Sequence, residues 1–177
     1  SIDTKFYKTI SNEKQLDELI KKLNEKSVIA VDTETSSLNP QEADLVGISV
    51  CYEANKSFYI PVSHKETTEL KKDLVLKKLK PILEDESIKK VGQNIKYDFI
   101  IFKNQGIELS PVDDTMLLSY VLDAGNNRHN MDTLSELNLG HKTVSYKETV
   151  GSGKKQLNFS EVDLKSATEY AAEDADV

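Results

Sequence analysis

Apolar residues in the first part of the chain form short runs rich in β-branched side chains, a pattern typical of strands. Three of these runs are separated only by short polar segments, so they predict a three-stranded antiparallel meander. They span residues 27–33, 45–52 and 57–62. Upstream of them, the pattern predicts an alternating strand over residues 5–10 and a helix from a Ser11 cap to about Lys26.

From Lys71 onward the apolar spacing lengthens toward about 3.6 residues, which predicts helices that alternate with short strands. Pro81 lies inside the first helical pattern and predicts a kink or an early end there. Alternating strands and helices indicate parallel crossovers, so the chain is predicted to form an α/β mixed sheet flanked by helices. The other predicted elements are strands over residues 88–91 and 107–112 and helices over residues 95–105, 115–122 and about 164–177.

The length and composition exclude several classes of protein. A chain of 177 residues that is 38% hydrophobic and has a single cysteine, Cys51, fits one globular domain over residues 1–177 without disulfides. Its three histidines lack cysteine partners at zinc-site spacing, and no apolar run approaches the ~20 residues that span a bilayer. We therefore expect a cytoplasmic protein with no membrane segment. The net charge of −7 argues against a basic face that binds nucleic acid.

Two acids interrupt the most hydrophobic predicted strand. Asp32 and Glu34 stand two residues apart in the segment VDTET. Because side chains alternate along a strand, both carboxylates project from one face of the sheet while Thr33 points to the other. Taken alone, the pair is also explained by a strand end that reaches solvent with two hydrated acids.

Two further polar pairs stand four residues apart on predicted helices. They are Asn94 and Asp98 in GQNIKYD, and Tyr170 and Asp174 in EYAAEDADV, so each pair shares one helix face. Taken alone, Asn94 and Asp98 fit a helix cap and a solvated acid of the first turn. Tyr170 and Asp174 fit an exposed acidic helix with one half-buried ring. The other acids of that helix are predicted to be solvated: Glu169, Glu173 and Asp176.

Taken together, Asp32, Glu34, Asp98 and Asp174 supply four oxygen donors without sulfur or imidazole. That set favours Mg²⁺ or Mn²⁺ over zinc or copper, and two such ions can share it. A pair of divalent ions activates water and stabilises the leaving oxygen in hydrolysis at phosphorus. Tyr170 has a phenol pKa too high for a base at neutral pH, so we expect it to orient the water by hydrogen bonding.

Six segments of the chain closely resemble the 3′→5′ proofreading exonuclease domain of bacterial family A DNA polymerases. The segments are VDTETSSL, KVGQNIKYD, DDTMLLSYVLD, RHNMDTLSE, HKTVSYKETVGSGKKQLNF and EYAAEDADV. The resemblance implies a ribonuclease H-like fold and membership of the tyrosine-type DEDD exonucleases. Such enzymes remove nucleoside 5′-monophosphates from DNA 3′ ends with two divalent metal ions, Mg²⁺ or Mn²⁺.

The resemblance also implies roles for individual positions. Asp32, Glu34 and Asp174 resemble the ligands of the tighter ion, and Asp98 resembles a ligand that acts near the second ion through water. Tyr170 resembles the residue that positions the attacking water.

Five more positions resemble substrate contacts of that family. The Thr33 backbone, together with Glu34, resembles a contact to the terminal 3′-hydroxyl, and Asn94 resembles a contact to the substrate backbone or sugar. Leu38 matches an apolar wedge between the last two bases. Tyr146 stands where the family usually has Phe, which keeps a stacking face and adds a hydroxyl. Arg128, in the segment RHNMD, is the candidate phosphate contact.

The implied partners are the 3′ end of single-stranded DNA and the polymerase domain of a longer parent chain. The chain starts without Met and stops inside a predicted helix, so we expect an excised, monomeric part of that parent. Two alternatives stay open. One is an RNA-trimming exonuclease similar to ribonuclease D, which the segments RHNMDTLSE and YKETVGSGKKQLNF disfavour, and the other is a non-catalytic scaffold, which the intact acids disfavour.

Overall fold

The computed structural model describes residues 2–122 and 130–177 and folds them around one mixed sheet. In the described residues the sheet has six strands in the order β1-β4-β3-β2-β5-β6. The strands are β1 (Lys8–Thr9), β2 (Val28–Thr35), β3 (Leu45–Glu53), β4 (Lys56–Pro61), β5 (Lys89–Gly92) and β6 (Val112–Asp114). The helices are α1 (Glu13–Leu23), α2 (Lys72–Leu83), α3 (Ile95–Asn104), α4 (Thr115–Leu122), α5 (Met131–Leu139), α6 (Tyr146–Val150) and α7 (Leu164–Asp176).

The strand pairing confirms the predicted architecture. Strand β3 pairs antiparallel with both β2 and β4, which is the predicted meander. Strand β5 then pairs parallel to β2, and β6 pairs parallel to β5, as the helical crossovers require. The fold is therefore an α/β mixed sheet flanked by helices, with β2 near its centre.

Two predictions near the start of the chain are wrong. The predicted strand over residues 5–10 is a 3₁₀ turn, Thr4–Phe6, followed by the two-residue β1, since the Asp3 side chain accepts a hydrogen bond from the Lys5 N–H and bends the backbone. Helix α1 is capped by Asn12 rather than Ser11, because the Asn12 side chain accepts from the Gln15 N–H at 2.9 Å.

Two predictions in the second half are also corrected. Helix α2 does not end early at Pro81, because this residue lies in its last turn and the buried Ile82 and Leu83 hold that turn against the core. The predicted strand over residues 107–112 is wrong except at its end. Ile107 and Leu109 are buried in the core, and ladder pairing starts only with β6.

The two faces of the sheet carry different helices. Alternate residues of β2, including Ile29 and Val31, contribute to the larger hydrophobic cluster under α1, α2 and α3. Helix α7 packs on the opposite face against β2, β3 and β4. Small buried side chains meet there, among them Ser49 and Ser57 on the strands and Ala167 and Ala171 on the helix. This packing brings α7 close to the sheet and directs its polar side chains to the end of β2.

None of the helices within residues 2–122 and 130–177 combines the length and apolar character needed to cross a membrane.

Candidate active site

Three carboxylates from two distant segments meet on the α7 face of the sheet. Asp32 and Glu34 project from β2, and Asp174 projects from the last turns of α7. One oxygen of each lies within 4.8 Å of an oxygen of the other two. The β2 pair therefore faces another acid instead of solvent, and the interpretation as a hydrated strand end does not hold for the assembled fold.

Asp98 approaches the same strand from the opposite face. It lies in the first turn of α3, is buried, and accepts hydrogen bonds from both the Thr33 N–H at 2.9 Å and the Thr33 hydroxyl. Thr33 points away from Asp32 and Glu34, as strand alternation predicts, and so its side chain reaches Asp98. Asp98 is thus a buried acid with two protein donors, which excludes the interpretation as a solvated acid.

Backbone geometry at the start of α3 places Asp98 next to the strand. Asn94 adopts the left-handed conformation with φ of 54°, which asparagine tolerates better than most residues. It is the N-cap residue of α3, as one interpretation of the sequence predicts, but its side chain makes no capping hydrogen bond. Instead, its backbone N–H donates to Asp114 at 3.0 Å, and its exposed side chain lines the cleft.

The electrostatics of the four acids favour a bound cation. Asp32 keeps some exposed surface, yet burial and then repulsion from Asp174 raise its pKa to about 8. Burial, followed by repulsion from Glu173, raises the pKa of Asp174 to about 7. Burial and neighbouring carboxylates hold the pKa of Glu34 and of Asp98 well above the usual range. Because like charges crowd a site of oxygen donors, a divalent cation fits the donor set and would relieve the repulsion.

Tyr170 stands one turn before Asp174 on the same stripe of α7. Its hydroxyl and the Asp174 carboxylate influence each other's pKa, so the two groups lie close together at the cleft. Burial, followed by repulsion from Asp174, raises the pKa of Tyr170, so the phenol keeps its proton at neutral pH. It can therefore donate or relay a hydrogen bond but does not act as a base.

A cleft of about 880 Å³ joins the acids to the predicted substrate contacts. Leu38 stands at its rim with 95% of its surface exposed, and Tyr146 lies half-exposed beside Tyr170. The predicted site residues that line this cleft are Asp32, Thr33, Glu34, Leu38, Asn94, Asp98, Tyr146, Tyr170 and Asp174. Arg128, the predicted phosphate contact, lies outside the described residues.

Two acids predicted to be solvated instead anchor α7, Glu173 as a buried residue and Asp176 as a partly buried one. Glu173 accepts a hydrogen bond from the Val144 N–H at 2.6 Å and pairs with the His141 ring at 2.7 Å. Asp176 accepts from the Tyr7 hydroxyl at 2.7 Å and from the Asn55 N–H at 2.6 Å. Their partners lie far away along the chain, so no local spacing signals these contacts. They hold the part of α7 that carries Asp174.

Comparisons with known proteins identify the family of the chain. A model of the 3′-5′ exonuclease family matches residues 7–177. DNA polymerase I of Rhizobium leguminosarum is 43% identical, over 99% of this chain and 19% of that relative. The chain thus spans about a fifth of the length of the curated relative it matches.

Solved structures show the same fold at low identity. The crystal structure of Trypanosoma brucei RNase D has a TM-score of 0.75 and 19% identity, and the match covers 98% of this chain and 63% of that one. The structure of Brucella melitensis NrnC with bound Mg²⁺ has a TM-score of 0.64 and 23% identity, over 85% of this chain and 67% of that one. The family match confirms the resemblance found in the sequence: the chain belongs to the 3′-5′ exonuclease family.

Proposed function

We propose that this exonuclease domain removes nucleoside 5′-monophosphates from the 3′ end of single-stranded DNA, with two divalent metal ions held by its acids. The observation that carries the proposal is the convergence of Asp32, Glu34 and Asp174 within 4.8 Å, with Asp98 lining the same cleft. Four carboxylates that offer only oxygen ligands and repel one another favour the binding of Mg²⁺ or Mn²⁺. The Mg²⁺ named for the structurally similar NrnC supports the same choice.

The acids on the two faces of β2 would have different roles in metal binding. Asp32, Glu34 and Asp174 would hold the tighter ion, and Asp98 would act near the second ion through water. When bound, the ions lower the pKa of a water molecule and stabilise the leaving oxygen. The protein keeps the ligands together through α7, which Glu173 and Asp176 anchor to distant segments.

Tyr170 would orient the attacking water. Its hydroxyl lies at the edge of the acid cluster and keeps its proton, because burial and then Asp174 raise its pKa. A neutral phenol is able to accept one hydrogen bond and donate another, which aligns a water molecule without removing its proton. Tyr170 is therefore a positioning group for the water and not the general base that removes its proton.

The wide mouth of the cleft suits the last nucleotides of a strand. Leu38 is a free apolar side chain at the rim, in position to wedge between two bases. Tyr146 presents a half-exposed ring on which a base can stack. The Thr33 backbone and Asn94 would contact the terminal sugar, and Arg128 would contact a phosphate. These contacts require unpaired bases, which is why we propose a single-stranded end.

We further propose that the domain proofreads within a DNA polymerase I. The relative that it matches over 99% of its own length is a DNA polymerase I of which it spans 19%. The monomeric state and the cytoplasmic location remain predictions. The affinity of the acidic domain alone for a DNA strand is expected to be weak and sensitive to salt, since no lysine lines the cleft among the described residues.

A cleavage assay tests the function and its alternatives. The substrates are 5′-labelled single-stranded DNA and RNA of one sequence, with Mg²⁺ or Mn²⁺ and with chelator, and Asp174→Ala is the control. A descending DNA ladder that chelator and Asp174→Ala abolish supports the proposal. A ladder on RNA alone would instead favour a ribonuclease D-like activity. No cleavage of either strand would leave a non-catalytic scaffold as the better interpretation.

The role of Tyr170 has a separate test. Tyr170→Phe removes only the hydroxyl, so turnover should fall by about 10- to 100-fold while metal binding, measured by calorimetry with Mn²⁺, is retained. Unchanged turnover would refute the water-positioning role.

A further inference from the structure

Behind the wall of the cleft lies a cluster of aromatic rings centred on Phe159. This residue is 1% exposed and belongs to the 3₁₀ turn Phe159–Glu161. Its ring lies 6.3 Å from the ring of Tyr146, nearly parallel to it, and 6.0 Å from the ring of Tyr170, measured between centroids. The rings of Tyr146 and Tyr170 also contact each other, at 5.8 Å. Phe159 therefore supports the two tyrosines that face the cleft.

The turn that carries Phe159 is tied to the strand that carries the acids. The Asn158 side chain accepts from the Ser160 N–H at 3.0 Å, and the Glu161 carboxylate accepts from the Asn158 N–H at 3.0 Å. The Asn158 amide also donates to the carbonyl of Ser36, the residue after β2, at 3.3 Å. Because the start of the turn is closed by this reciprocal capping box and the turn is linked to β2, the Phe159 ring keeps its place relative to the acids.

Two further rings close the cluster on its inner side. The centroids of Tyr59 and His64 lie 6.4 and 5.8 Å from that of Phe159. The Tyr59 hydroxyl bonds to His64 Nε2 at 2.6 Å, and His64 Nδ1 bonds to the Val162 carbonyl at 3.2 Å. The Tyr59 ring also covers Gly47 so closely that a β-carbon there would lie 1.9 Å from the hydroxyl. Phe159 is thus packed between a rigid inner layer and the two tyrosines of the cleft.

We propose that Phe159 is a positioning residue of the exonuclease site, which sets Tyr170 for the attacking water and Tyr146 for the terminal base. The inference rests on the proposed function, since it assigns Phe159 an effect through those two side chains. Loss of the ring leaves space behind both tyrosines, and each can then tilt back from the cleft. Displacement of a water-orienting group by about 1 Å costs up to about 100-fold in rate.

The test is a double-substitution cycle with four proteins: the wild type, Phe159→Leu, Tyr170→Phe and the protein with both changes. Phe58→Leu is the matched control, because Phe58 lies in β4, stacks on Tyr52 and is remote from the cleft. Thermal unfolding identifies any protein that is not folded at the assay temperature. If Phe159→Leu unfolds, Phe159→Met replaces it throughout, because the flexible, unbranched methionine side chain adapts to the space left by the ring.

Phe159→Leu should lower kcat by about tenfold and raise KM for a single-stranded oligonucleotide, while Phe58→Leu changes neither. In the Tyr170→Phe background the effect on kcat should disappear and the effect on KM should stay, since KM depends on Tyr146. Equal loss of kcat in both backgrounds would overturn the inference but leave the proposed function intact. Wild-type turnover of Tyr170→Phe would instead refute the water-positioning role, and the inference with it.

Discussion

The two faces of β2 carry acids with different neighbours, although burial raises the pKa of the acids on both faces. On the α3 face, Asp98 accepts two hydrogen bonds from Thr33, so the protein itself satisfies one of its oxygens. On the α7 face, Asp32, Glu34 and Asp174 converge within 4.8 Å. Glu34 in particular has its pKa raised by burial and by three other carboxylates, with no opposing donor.

Acids on the two faces of one strand therefore differ in role: the α3-face acid supports the fold, and the α7-face acids support function. An acid with donors from the protein stabilises the fold whether or not anything is bound. Acids that face one another repel, and an added cation or bound protons offset the repulsion that remains after the Thr33 backbone and Tyr170 have lowered the pKa of Asp32 and of Asp174 in part. We therefore expect the α3-face acid to contribute to folding and the α7-face acids to oppose it until metal binds.

The largest expected effect is on catalysis from the α7 face. Asp32→Ala should lower turnover by about 1,000-fold, because a lost metal ligand removes several kcal/mol of charge stabilisation. The same change should leave the melting temperature in chelator unchanged or higher, since it relieves repulsion. Activity assays and calorimetric melting check both, with the exposed Glu42→Ala as control. A melting temperature well below that of the control would contradict the expectation that Asp32 opposes folding when no metal is bound.

Next in size is the pH dependence of stability in chelator. The folded chain holds protons on Asp32, with a pKa of about 8, and on Asp174, with a pKa of about 7, whereas the ordinary value is 3.8. Between pH 4 and 8 the unfolded chain therefore binds fewer protons, and the free energy of unfolding should fall as pH rises. The fall is several kcal/mol across that range.

Urea unfolding at several pH values measures this slope, and Mg²⁺ should reverse it near pH 8, where the acids are charged. Flat stability in chelator, with no response to Mg²⁺, would show that the α7-face acids are compensated by the protein after all.

A smaller effect is expected from the α3 face, and with the opposite sign. Asp98→Ala leaves the Thr33 N–H and hydroxyl without their acceptor, so the free energy of unfolding in chelator should fall by about 2 kcal/mol. Urea unfolding next to Asp32→Ala gives the direct contrast. If Asp98→Ala and Asp32→Ala change the free energy of unfolding by the same amount, the expected difference between the two faces of β2 is contradicted.

The smallest expected effect comes from a single donor. Thr33→Val removes the hydroxyl that donates to Asp98 and keeps both the backbone N–H and the shape of the side chain. Stability should fall by about 1 kcal/mol, and turnover should change little because the predicted contact to the substrate uses the Thr33 backbone. Denaturant unfolding and the cleavage assay measure the two, and a loss of turnover like that of Asp32→Ala would contradict this assignment.

Much of the fold could be predicted because its signals are local. The β-branched runs predict β2, β3 and β4, and the longer apolar spacing predicts α2, α3 and α7, within a few residues. Two failures, at Asp3 and Asn12, come from local side-chain hydrogen bonds, and the others occur where a distant contact decides. Leu109 has the apolar character of a strand residue, yet it is buried in the core and lies outside the ladder.

In the candidate site, too, local patterns were predictable and contacts between distant segments were not. Strand alternation places Asp32 and Glu34 on one face and Thr33 on the other, and the structure keeps that arrangement. Glu173 and Asp176 could not be distinguished from solvated helix acids, because their partners come from other parts of the chain. The ring cluster around Phe159 gives no periodic signal, since its members lie on four separate segments.

The amino-acid sequence by itself determined the element types, the α/β class, the family and the spacing of the polar residues, because each depends on residues a few positions apart or on matched segments. Only the tertiary structure decided that three acids oppose one another while the fourth is held by Thr33. That outcome depends on which strands pair and on how closely α7 packs on the sheet. Electrostatic energy varies with distance in space, and the separation of residues along the chain does not specify that distance.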